Sequence, residues 1–345
     1  MWIGDGPPPP DLPGLTGQLG EVIVFPGLVN SHDHLEFNCY APTGMPPYAD
    51  FVGWARDVQA AREVLASVEA IPLALRRRFG LLKNLLWGVT AVADHGGGRA
   101  EADDPITVLT PYKDLHSPEF GRRRSWLGGS SPVVMHLAEG TTPASRTRAL
   151  RYLRWNLLRR PVAGVHGVAL RGQDFAKLSA LIWCPASNHF LFGRTADAME
   201  AARRTTLLFG TDSTLSAPGT LWDHLRMAQD SMEGPPLLAA LTGTAERFWH
   251  LPARRDFVVA RRLRRDPWDS FLALTPDDIL LVIKDGEPVL ADRSLGAPAH
   301  GLHPLGSKYV RLPLPAMLRE VERYIDPAAL ISRFAGLTVS ARRAL

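Results

Sequence analysis

The sequence predicts an α/β fold: a (β/α)8 barrel, in which one unit is expected to be degenerate, and a reduced small β domain. Three observations predict this fold. Short apolar runs recur from Val22 to about His250, amphipathic helical stretches lie between them, and the pattern then changes to hairpin-like strands. Apolar strands that alternate with helices are typical of a parallel sheet covered on both faces. Seven or eight such units within about 220 residues suit a (β/α)8 barrel.

The barrel is predicted to occupy residues 22–250, after a lead-in of 21 residues. The lead-in is rich in proline and glycine, and we expect it to be extended and to supply part of the small β domain. The predicted strands of the barrel are Val22–Val29, Val89–Ala93, Ile106–Leu109, Val133–Leu137, Val162–Leu170, Leu181–Trp183 and Thr206–Phe209. The predicted helical stretches are Trp54–Leu86, Ser145–Leu158 and Thr220–Met227.

The weakest part of the barrel pattern lies between Gly96 and Ser131, which holds one clear strand and a second candidate at Lys113–Ser117. The degenerate unit is expected there. Residues 251–345 are predicted to form a small β appendage and C-terminal helices. Its predicted strands are Asp256–Val259, Ile279–Ile283 and Pro288–Leu290, and its predicted helical tail is Leu314–Phe334. Asp285-Gly286 predicts a hairpin turn before the last of these strands.

Composition indicates a globular protein of the cytoplasm. Hydrophobic residues make up 46% of the chain and charged residues 21%, which is enough for a sizeable core. The two cysteines predict no disulfide framework and favour a reducing compartment. The first residues have no signal-peptide pattern, and no apolar run is long enough to span a membrane.

The basic clusters are far apart and come without a nucleic-acid recognition motif; they are Arg76–Arg78, Arg122–Arg124 and Arg261–Arg265. With a net charge of only +4, we therefore expect a small-molecule substrate and neither a nucleic-acid nor a membrane partner. Homodimerisation stays open.

Side chains that commonly bind metal ions follow four of the predicted strands: His32 and His34, His136, His166, and Asp212. Catalytic groups of a parallel barrel lie at the C-terminal ends of its strands. Histidines two apart on an extended segment point to the same side, so both imidazoles can face one ion. Imidazole and carboxylate suit Zn²⁺ or Fe²⁺ and leave a position open for water. Glu139 follows His136 closely enough to move a proton at such a site.

Several motifs together resemble those of the amidohydrolase superfamily. Phe25 to His34 resembles its PGxxNxHxH opening, and His136 to Glu139 resembles the HxxE motif of its mononuclear deaminase and chlorohydrolase branch. The later motifs are similar to the strand-six histidine (His166-Gly167), CPxSN (Cys184–Asn188) and GTDS (Gly210–Ser213). This branch includes cytosine, guanine and S-adenosylhomocysteine deaminases. The resemblance spans about Val22 to Leu295 and implies a barrel with a second, small β domain.

The resemblance implies one divalent metal ion, with Zn²⁺ favoured over Fe²⁺. The implied ligands are His32, His34, His136 and Asp212. Glu139 is implied as the proton shuttle, and His166 as the residue that polarises the substrate or orients the attacking water. Asp212 would also accept a proton from that water. His116, in a segment similar to the family's HSP motif, and His95, at a strand end, are expected to contact the substrate.

The implied activity is hydrolysis of a non-peptide C–N bond, with deamination of an amino-heterocycle as the leading reaction. Hydrolysis of a cyclic amide or N-acyl bond, and a catalytically silent barrel, stay open as alternatives. A two-metal site bridged by a carboxylated Lys113 is the rival arrangement. Substrate choice is expected to lie in the loops Cys39–Gly53, Gly96–Asp104 and Phe120–Ser131.

Overall fold

The computed structural model describes residues 19–96, 99–110, 112–118, 132–232, 234–252, 255–296 and 300–335. Most of the predicted lead-in, two glycines of the loop after His95 and the predicted substrate loop Phe120–Ser131 lie outside the described residues.

Fourteen β-strands occur within the described residues. They are β1 (Val22–Pro26), β2 (Leu28–Asp33), β3 (Val89–Asp94), β4 (Thr107–Val108), β5 (Lys113–Leu115), β6 (Val133–Leu137), β7 (Val162–His166), β8 (Ala180–Trp183), β9 (Thr206–Phe209), β10 (Phe257–Arg261), β11 (Ile279–Lys284), β12 (Glu287–Asp292), β13 (His303–Leu305) and β14 (Lys308–Val310).

Strands β2 to β9 are parallel and provide the eight strands expected of the barrel. They form two arcs, β2-β3-β4 and β5-β6-β7-β8-β9. The remaining strands form one antiparallel sheet, in the order β1-β10-β11-β12-β14-β13. The predicted combination of a barrel with a small β domain is therefore confirmed, while the predicted boundaries at residues 22 and 251 stay predictions.

The predicted strand Val22–Val29 is two strands rather than one. β1 pairs antiparallel with β10 in the small sheet, and β2 pairs parallel with β3 in the barrel. Gly27 lies between them, and a Cβ atom there would come within 2.3 Å of the Thr90 Oγ1 atom. Glycine therefore lets the chain pass closely over β3 as it leaves one sheet for the other. The apolar run hid this division because it continues from β1 into the start of β2, although only β2 is fully buried.

Twelve α-helices occur within the described residues. They are α1 (Phe51–Ala60), α2 (Arg62–Glu69), α3 (Leu73–Leu86), α4 (Pro143–Leu153), α5 (Pro185–Phe192), α6 (Ala198–Arg204), α7 (Leu221–Ala228), α8 (Pro235–Leu241), α9 (Gly243–Phe248), α10 (Pro267–Ala273), α11 (Leu314–Val321) and α12 (Pro327–Ala335). In the part of the chain that the structure describes, no helix has the length and apolar character needed to cross a membrane.

The predicted helical stretch Trp54–Leu86 is three helices, α1 to α3. The break before α3 falls at Pro72, which occupies the N-cap position of that helix. A proline disfavours helical geometry at the residue before it, so α2 cannot run directly into α3. The predicted tail, by contrast, is confirmed as two helices, α11 and α12.

The barrel is irregular between β3 and β5, within the region where the sequence predicts a degenerate unit. β4 has 2 residues and β5 has 3. Among residues 95–96, 99–110 and 112, which connect these strands, the structure contains no helix. Short strands and missing helices together explain why the alternating pattern fades there.

Inside the barrel, side chains alternate between two environments along each strand. Val134 packs in the inner apolar cluster, whereas its neighbours Val133 and Met135 pack in the outer one. His136 is two residues after Val134 and therefore points to the same inner side. Apolar side chains thus fill the interior, and the polar site lies at the C-terminal ends of the strands.

The small sheet contains a buried lysine. Lys308 on β14 is 0% exposed, and its Nζ donates to the Asp277 carbonyl at 2.7 Å, the Ile279 carbonyl at 2.6 Å and Asp292 Oδ2 at 2.7 Å. Burial by itself raises the pKa of Asp292, but the hydrogen bonds from Lys308 and Ser294 outweigh it and hold that pKa below its ordinary value. The Lys308–Asp292 pair therefore stabilises the fold, and this stabilisation is lost at acidic pH.

We expect Lys308→Met to lower the free energy of unfolding by about 3–5 kcal/mol at pH 7, because it removes the cation that hydrogen-bonds the buried Asp292 carboxylate and leaves Arg261, 3.8 Å away, as its only cation among the described residues. A carboxyl group with a depressed folded pKa stabilises the fold above its unfolded pKa of about 3.9, and this contribution is lost as pH falls through the folded pKa. The difference between wild type and variant should therefore narrow below about pH 4. Urea unfolding between pH 3 and pH 8 measures both effects.

Lys284→Met provides the matched control in the same sheet. Lys284 pairs with Asp285, whose side chain is 67% exposed, at the hairpin turn. Exposed pairs contribute about 0–1 kcal/mol, so this variant should unfold nearly as the wild type does. Equal losses in the two variants would contradict the importance of the buried pair.

Candidate metal centre

Three imidazoles converge at the C-terminal ends of β2 and β6. His32, His34 and His136 each offer a ring nitrogen, and these atoms all lie within 4.8 Å of one another. The Nε2 atoms of His34 and His136 are 3.3 Å apart, with the two rings stacked at an interplanar angle of 11°. The structure thus brings together three of the four predicted ligands, close enough to bind one metal ion.

The environment keeps His32 and His136 neutral, which is the form of imidazole that binds metals. Burial, followed by the neighbouring histidines, lowers the pKa of His32 and of His136 well below the ordinary value. His136 Nδ1 lies 2.8 Å from the carbonyl oxygen of His116, to which it can donate. That hydrogen bond fixes the proton on Nδ1 and leaves Nε2 as the electron-pair donor.

The three imidazoles fit a divalent metal ion. The His32 side chain is fully buried, yet neither of its ring nitrogens has a hydrogen-bond partner among the described residues. A buried polar atom without a partner is costly, so a native site that contains one calls for an explanation. Nitrogen donors from three histidines are the typical protein ligands of Zn²⁺.

Asp212, the fourth predicted ligand, follows β9 and lies beside the cluster, with Oδ1 3.9 Å from His34 Nε2. Its Oδ2 accepts from Ser187 Oγ at 2.7 Å and from Ser216 Oγ at 2.9 Å. Burial raises the pKa of Asp212, but His166, His34 and these hydroxyls outweigh it, so the net shift is downward. The group is therefore an oriented carboxylate at neutral pH.

Glu139 and His166 adjoin the same centre. Glu139 Oε1 is 3.6 Å from His166 Nε2, which is also 4.0 Å from Asp212 Oδ2. The other ring nitrogen of His166, Nδ1, is 2.9 Å from Asn188 Oδ1. This contact places the proton on Nδ1 when the ring is neutral. Burial lowers the pKa of His166 despite the nearby Asp212.

An unusual backbone conformation directs His166 into the site. Ala163 and Val165 of β7 pack in the inner cluster, so strict alternation would point His166 outward. His166 has φ +69°, in the left-handed region. This turn brings its ring within 5.3 Å of the His136 ring. Left-handed non-glycine residues are strained and concentrate at functional sites.

The two histidines predicted to contact substrate also lie next to the imidazole cluster. The His95 ring, after β3, is 4.4 Å from the His136 ring, and its Nε2 is 2.8 Å from Asp114 Oδ1. The His116 ring, after β5, is 5.4 Å from the His136 ring. All eight predicted site positions are thus brought together, although their roles stay predictions.

Lys113, the residue that a bridged two-metal site would need, is the first residue of β5. His116 follows the other end of the same strand, where the imidazole cluster lies. This placement at the N-terminal end favours the arrangement with one metal.

Sequence reasoning missed a set of buried polar residues beneath the imidazoles. Asp33, between the two predicted ligands of β2, is 2.9 Å from Lys83 Nζ of α3, and neither side chain is more than 1% exposed. Asp94, at the end of β3, is also buried, and burial together with the Glu36 carboxylate raises its pKa to about 7. The sequence offered one signal for these residues, which is that they are charged residues within largely apolar stretches. Such residues ordinarily lie on a solvated face, so the signal did not indicate a buried network.

No family model and no curated protein sequence matches the chain. Several solved structures do. Adenosine deaminase from Xanthomonas campestris, with bound zinc, is 15% identical, and the alignment covers 88% of this chain and 85% of that chain with a TM-score of 0.63. Atrazine chlorohydrolase TrzN from Arthrobacter aurescens, complexed with zinc, is 14% identical over 88% of each chain, with a TM-score of 0.62.

Aminofutalosine deaminase from Helicobacter pylori, in complex with methylthio-coformycin, is 15% identical. The alignment covers 78% of this chain and 87% of that chain, with a TM-score of 0.55. At such identities the likeness establishes architecture. This chain therefore has the fold of these deaminases and of the chlorohydrolase.

Proposed function

We propose that this chain is a metal-dependent hydrolase of the amidohydrolase superfamily that acts on a non-peptide C–N bond. The observation that carries the proposal is the convergence of three imidazole donors within 4.8 Å at the barrel's strand ends. Glu139, His166 and Asp212 adjoin these donors, as the mononuclear branch requires. A catalytically silent barrel is disfavoured because each residue that this chemistry needs is present.

His32, His34, His136 and Asp212 would hold one divalent ion, with zinc favoured over Fe²⁺. Two of the similar structures contain zinc. A bound ion supplies Lewis acidity, which lets water ionise near neutral pH. Asp212 would accept a proton from the attacking water, and Glu139 would carry a proton to the leaving nitrogen. His166 would orient the water or polarise the substrate.

The leading reaction is deamination of an amino-heterocycle. Water adds to the ring carbon that bears the amine, the C–N bond breaks, and protonation of the leaving nitrogen releases ammonia. Two of the similar structures are named as deaminases, one for adenosine and one for aminofutalosine. His95 and His116 would contact this small-molecule substrate. Hydrolysis of a cyclic amide or N-acyl bond is the alternative, and it would release no ammonia.

The cytoplasm is the proposed location, since Cys39 and Cys184 are both buried and free. Homodimerisation, and the expectation that nucleic acid is not a partner, stay predictions.

Zinc-replete protein is expected to contain about one ion per chain and to release ammonia from members of an amino-heterocycle panel. Elemental analysis and a coupled ammonia assay measure the two properties, with chelator-treated protein as the control. A metal content of about two ions per chain, with one ion lost in Lys113→Ala, would contradict the one-metal site and support the bridged two-metal site. Cyclic-amide hydrolysis without ammonia release would favour the alternative reaction. Protein that retains no metal would overturn the proposal.

A further inference from the structure

Three of the four proposed ligands lie at or just after the C-terminal ends of strands β2 and β9, yet these strands lie at the edges of different arcs. Their C-terminal ends meet where the amide nitrogens of Thr211 and Asp212 both donate to the His32 carbonyl at 3.0 Å. Below this point the two strands are joined by side chains rather than by a ladder. We name this group of five residues the polar seam: Asn30, Asp33, Lys83, Asn84 and Thr211.

Asp33 is the acidic member of the polar seam. It lies between His32 and His34 and is 0% exposed. Its Oδ2 accepts from Asn84 Nδ2 at 2.6 Å and from Asn30 Nδ2 at 3.2 Å, beside the Lys83 ammonium 2.9 Å away. With its carboxylate held from several directions, the backbone between the two proposed ligands has little freedom to rotate.

The polar seam then crosses from β2 to the end of β9. Asn30 Nδ2 donates to Thr211 Oγ1 at 2.7 Å, and Thr211 N donates back to Asn30 Oδ1 at 3.1 Å. Lys83 Nζ donates to the carbonyl oxygen of Asp212 at 3.2 Å. Asp212 has φ +55°, a strained left-handed conformation that needs such outside support.

Stability alone is a poor explanation for these charges. Burying an ion pair costs desolvation energy, and apolar side chains of similar volume often stabilise a core as well or better. Burial accordingly lowers the pKa of Lys83 even though Asp33 raises it. A fully bonded buried network instead fixes one geometry. The geometry fixed here is the relative placement of His32, His34 and Asp212.

We propose that the polar seam positions the metal ligands of β2 and β9 with respect to each other, and that Lys83 and Thr211 are positioning residues for the metal. This inference rests on the proposed metal-binding function. Partners behind metal ligands typically contribute about 10–100-fold to metal affinity. We therefore expect a loss of zinc affinity when the seam is cut, although none of its members is a proposed ligand.

Thr211→Val is the mild test, since it removes the hydroxyl that links Asn30 to β9 and keeps the side-chain shape. Its matched control is Thr205→Val, just before β9, where the hydroxyl donates to the Leu178 carbonyl at 2.8 Å and to no other group among the described residues. Competition with a chromophoric chelator measures the zinc dissociation constant. We expect a rise of at least about tenfold in Thr211→Val, and a value near wild type in Thr205→Val.

Lys83→Met is the stronger test, and Lys308→Met is its control, because both remove a fully buried lysine that faces an aspartate. Both variants should be destabilised, but only Lys83→Met should lose zinc affinity. The visible spectrum of the Co²⁺-substituted protein should change in the same variant alone, as the ligands shift. If Lys83→Met does not fold, Thr211→Val decides the question.

Wild-type affinity in both Thr211→Val and Lys83→Met would overturn the inference while leaving the proposed function intact. Equal losses in the seam variants and in their controls would also overturn it, because a general effect of destabilisation would then suffice. Wild-type protein that binds no zinc would defeat the proposed function and the inference together.

Discussion

Glu139→Gln is expected to keep the metal and to lose about 10²–10⁴-fold in turnover, a change of about 3–5.5 kcal/mol in the activation barrier. The side chain keeps its shape and loses its ability to take up and release a proton. Glu139 Oε1 lies 3.6 Å from His166 Nε2, beside the imidazole cluster rather than within it. Metal content should therefore stay near that of the wild type.

Steady-state rates with a substrate found in the ammonia screen, together with elemental analysis, measure the effect. Glu200→Gln is the matched control, since Glu200 lies on α6 and forms surface ion pairs with Arg203 and Arg204. It should retain both zinc and turnover. If Glu139→Gln retained wild-type turnover, Glu139 would not be the proton shuttle. If it lost zinc as well, Glu139 would act as a ligand.

Most of the barrel strands could be predicted because each is a short run of buried apolar residues bounded by turns. β6 and β9 have the predicted bounds, Val133–Leu137 and Thr206–Phe209. In these two strands the residues that are apolar in the sequence are also buried in the fold. The hairpin at Asp285-Gly286 could be predicted for a similar reason, because a two-residue turn of type I′ needs positive φ at both central positions, which Asp-Gly readily adopts. The observed φ values are +53° and +86°.

The division at Gly27 could not be predicted, because its cause is distant in the sequence. Thr90 and Asp256 crowd the position of a side chain there, and neither is a sequence neighbour. His166 illustrates the same limit, since β7 was predicted to continue to Leu170. The strand ends where the backbone of His166 enters the left-handed region. Strain of this kind is imposed by surrounding structure and leaves no periodic signal.

In the candidate site too, the features set by local sequence could be predicted and those set by distant residues could not. Spacing could suggest that His32 and His34 face one ion, because an extended strand sets that relation locally. Nothing local indicates that Lys83 pairs with Asp33, or that His95 pairs with Asp114. A lysine in a helical stretch is ordinarily solvated, and only the packing of α3 against β2 buries Lys83 beside Asp33.

Zinc is expected to stabilise the protein strongly, and His32→Ala is expected to remove that stabilisation. His32 is 0% exposed, with both ring nitrogens lacking hydrogen-bond partners in the described part of the chain. A bound ion would give one of them a partner. Binding only to the folded state contributes about 2.7 kcal/mol when free zinc is at 100 times its dissociation constant. Thermal unfolding with zinc and with chelator measures the difference in Tm.

His224→Ala is the matched control, because His224 is also buried and its Nδ1 also lacks a partner among the described residues. Its Nε2 lies 3.1 Å from the Pro218 carbonyl, and it is not a proposed ligand. This variant should unfold at a lower temperature but keep the full zinc-dependent shift in Tm. An equal zinc-dependent shift in His32→Ala and in the wild type would mean that the ion binds elsewhere.

The other group of potential ligands in the described residues is Glu101, Asp103 and Asp104. All three of its carboxylates already have cationic partners. Arg77 binds Asp104 through contacts of 2.7 and 2.6 Å and lies 3.7 Å from Glu101, and Arg78 lies 3.0 Å from Asp103. Carboxylate oxygens without imidazole also suit Ca²⁺ or Mg²⁺ better than Zn²⁺. A zinc-specific shift in Tm that His32→Ala removes and His224→Ala preserves would therefore place the ion at the imidazole cluster.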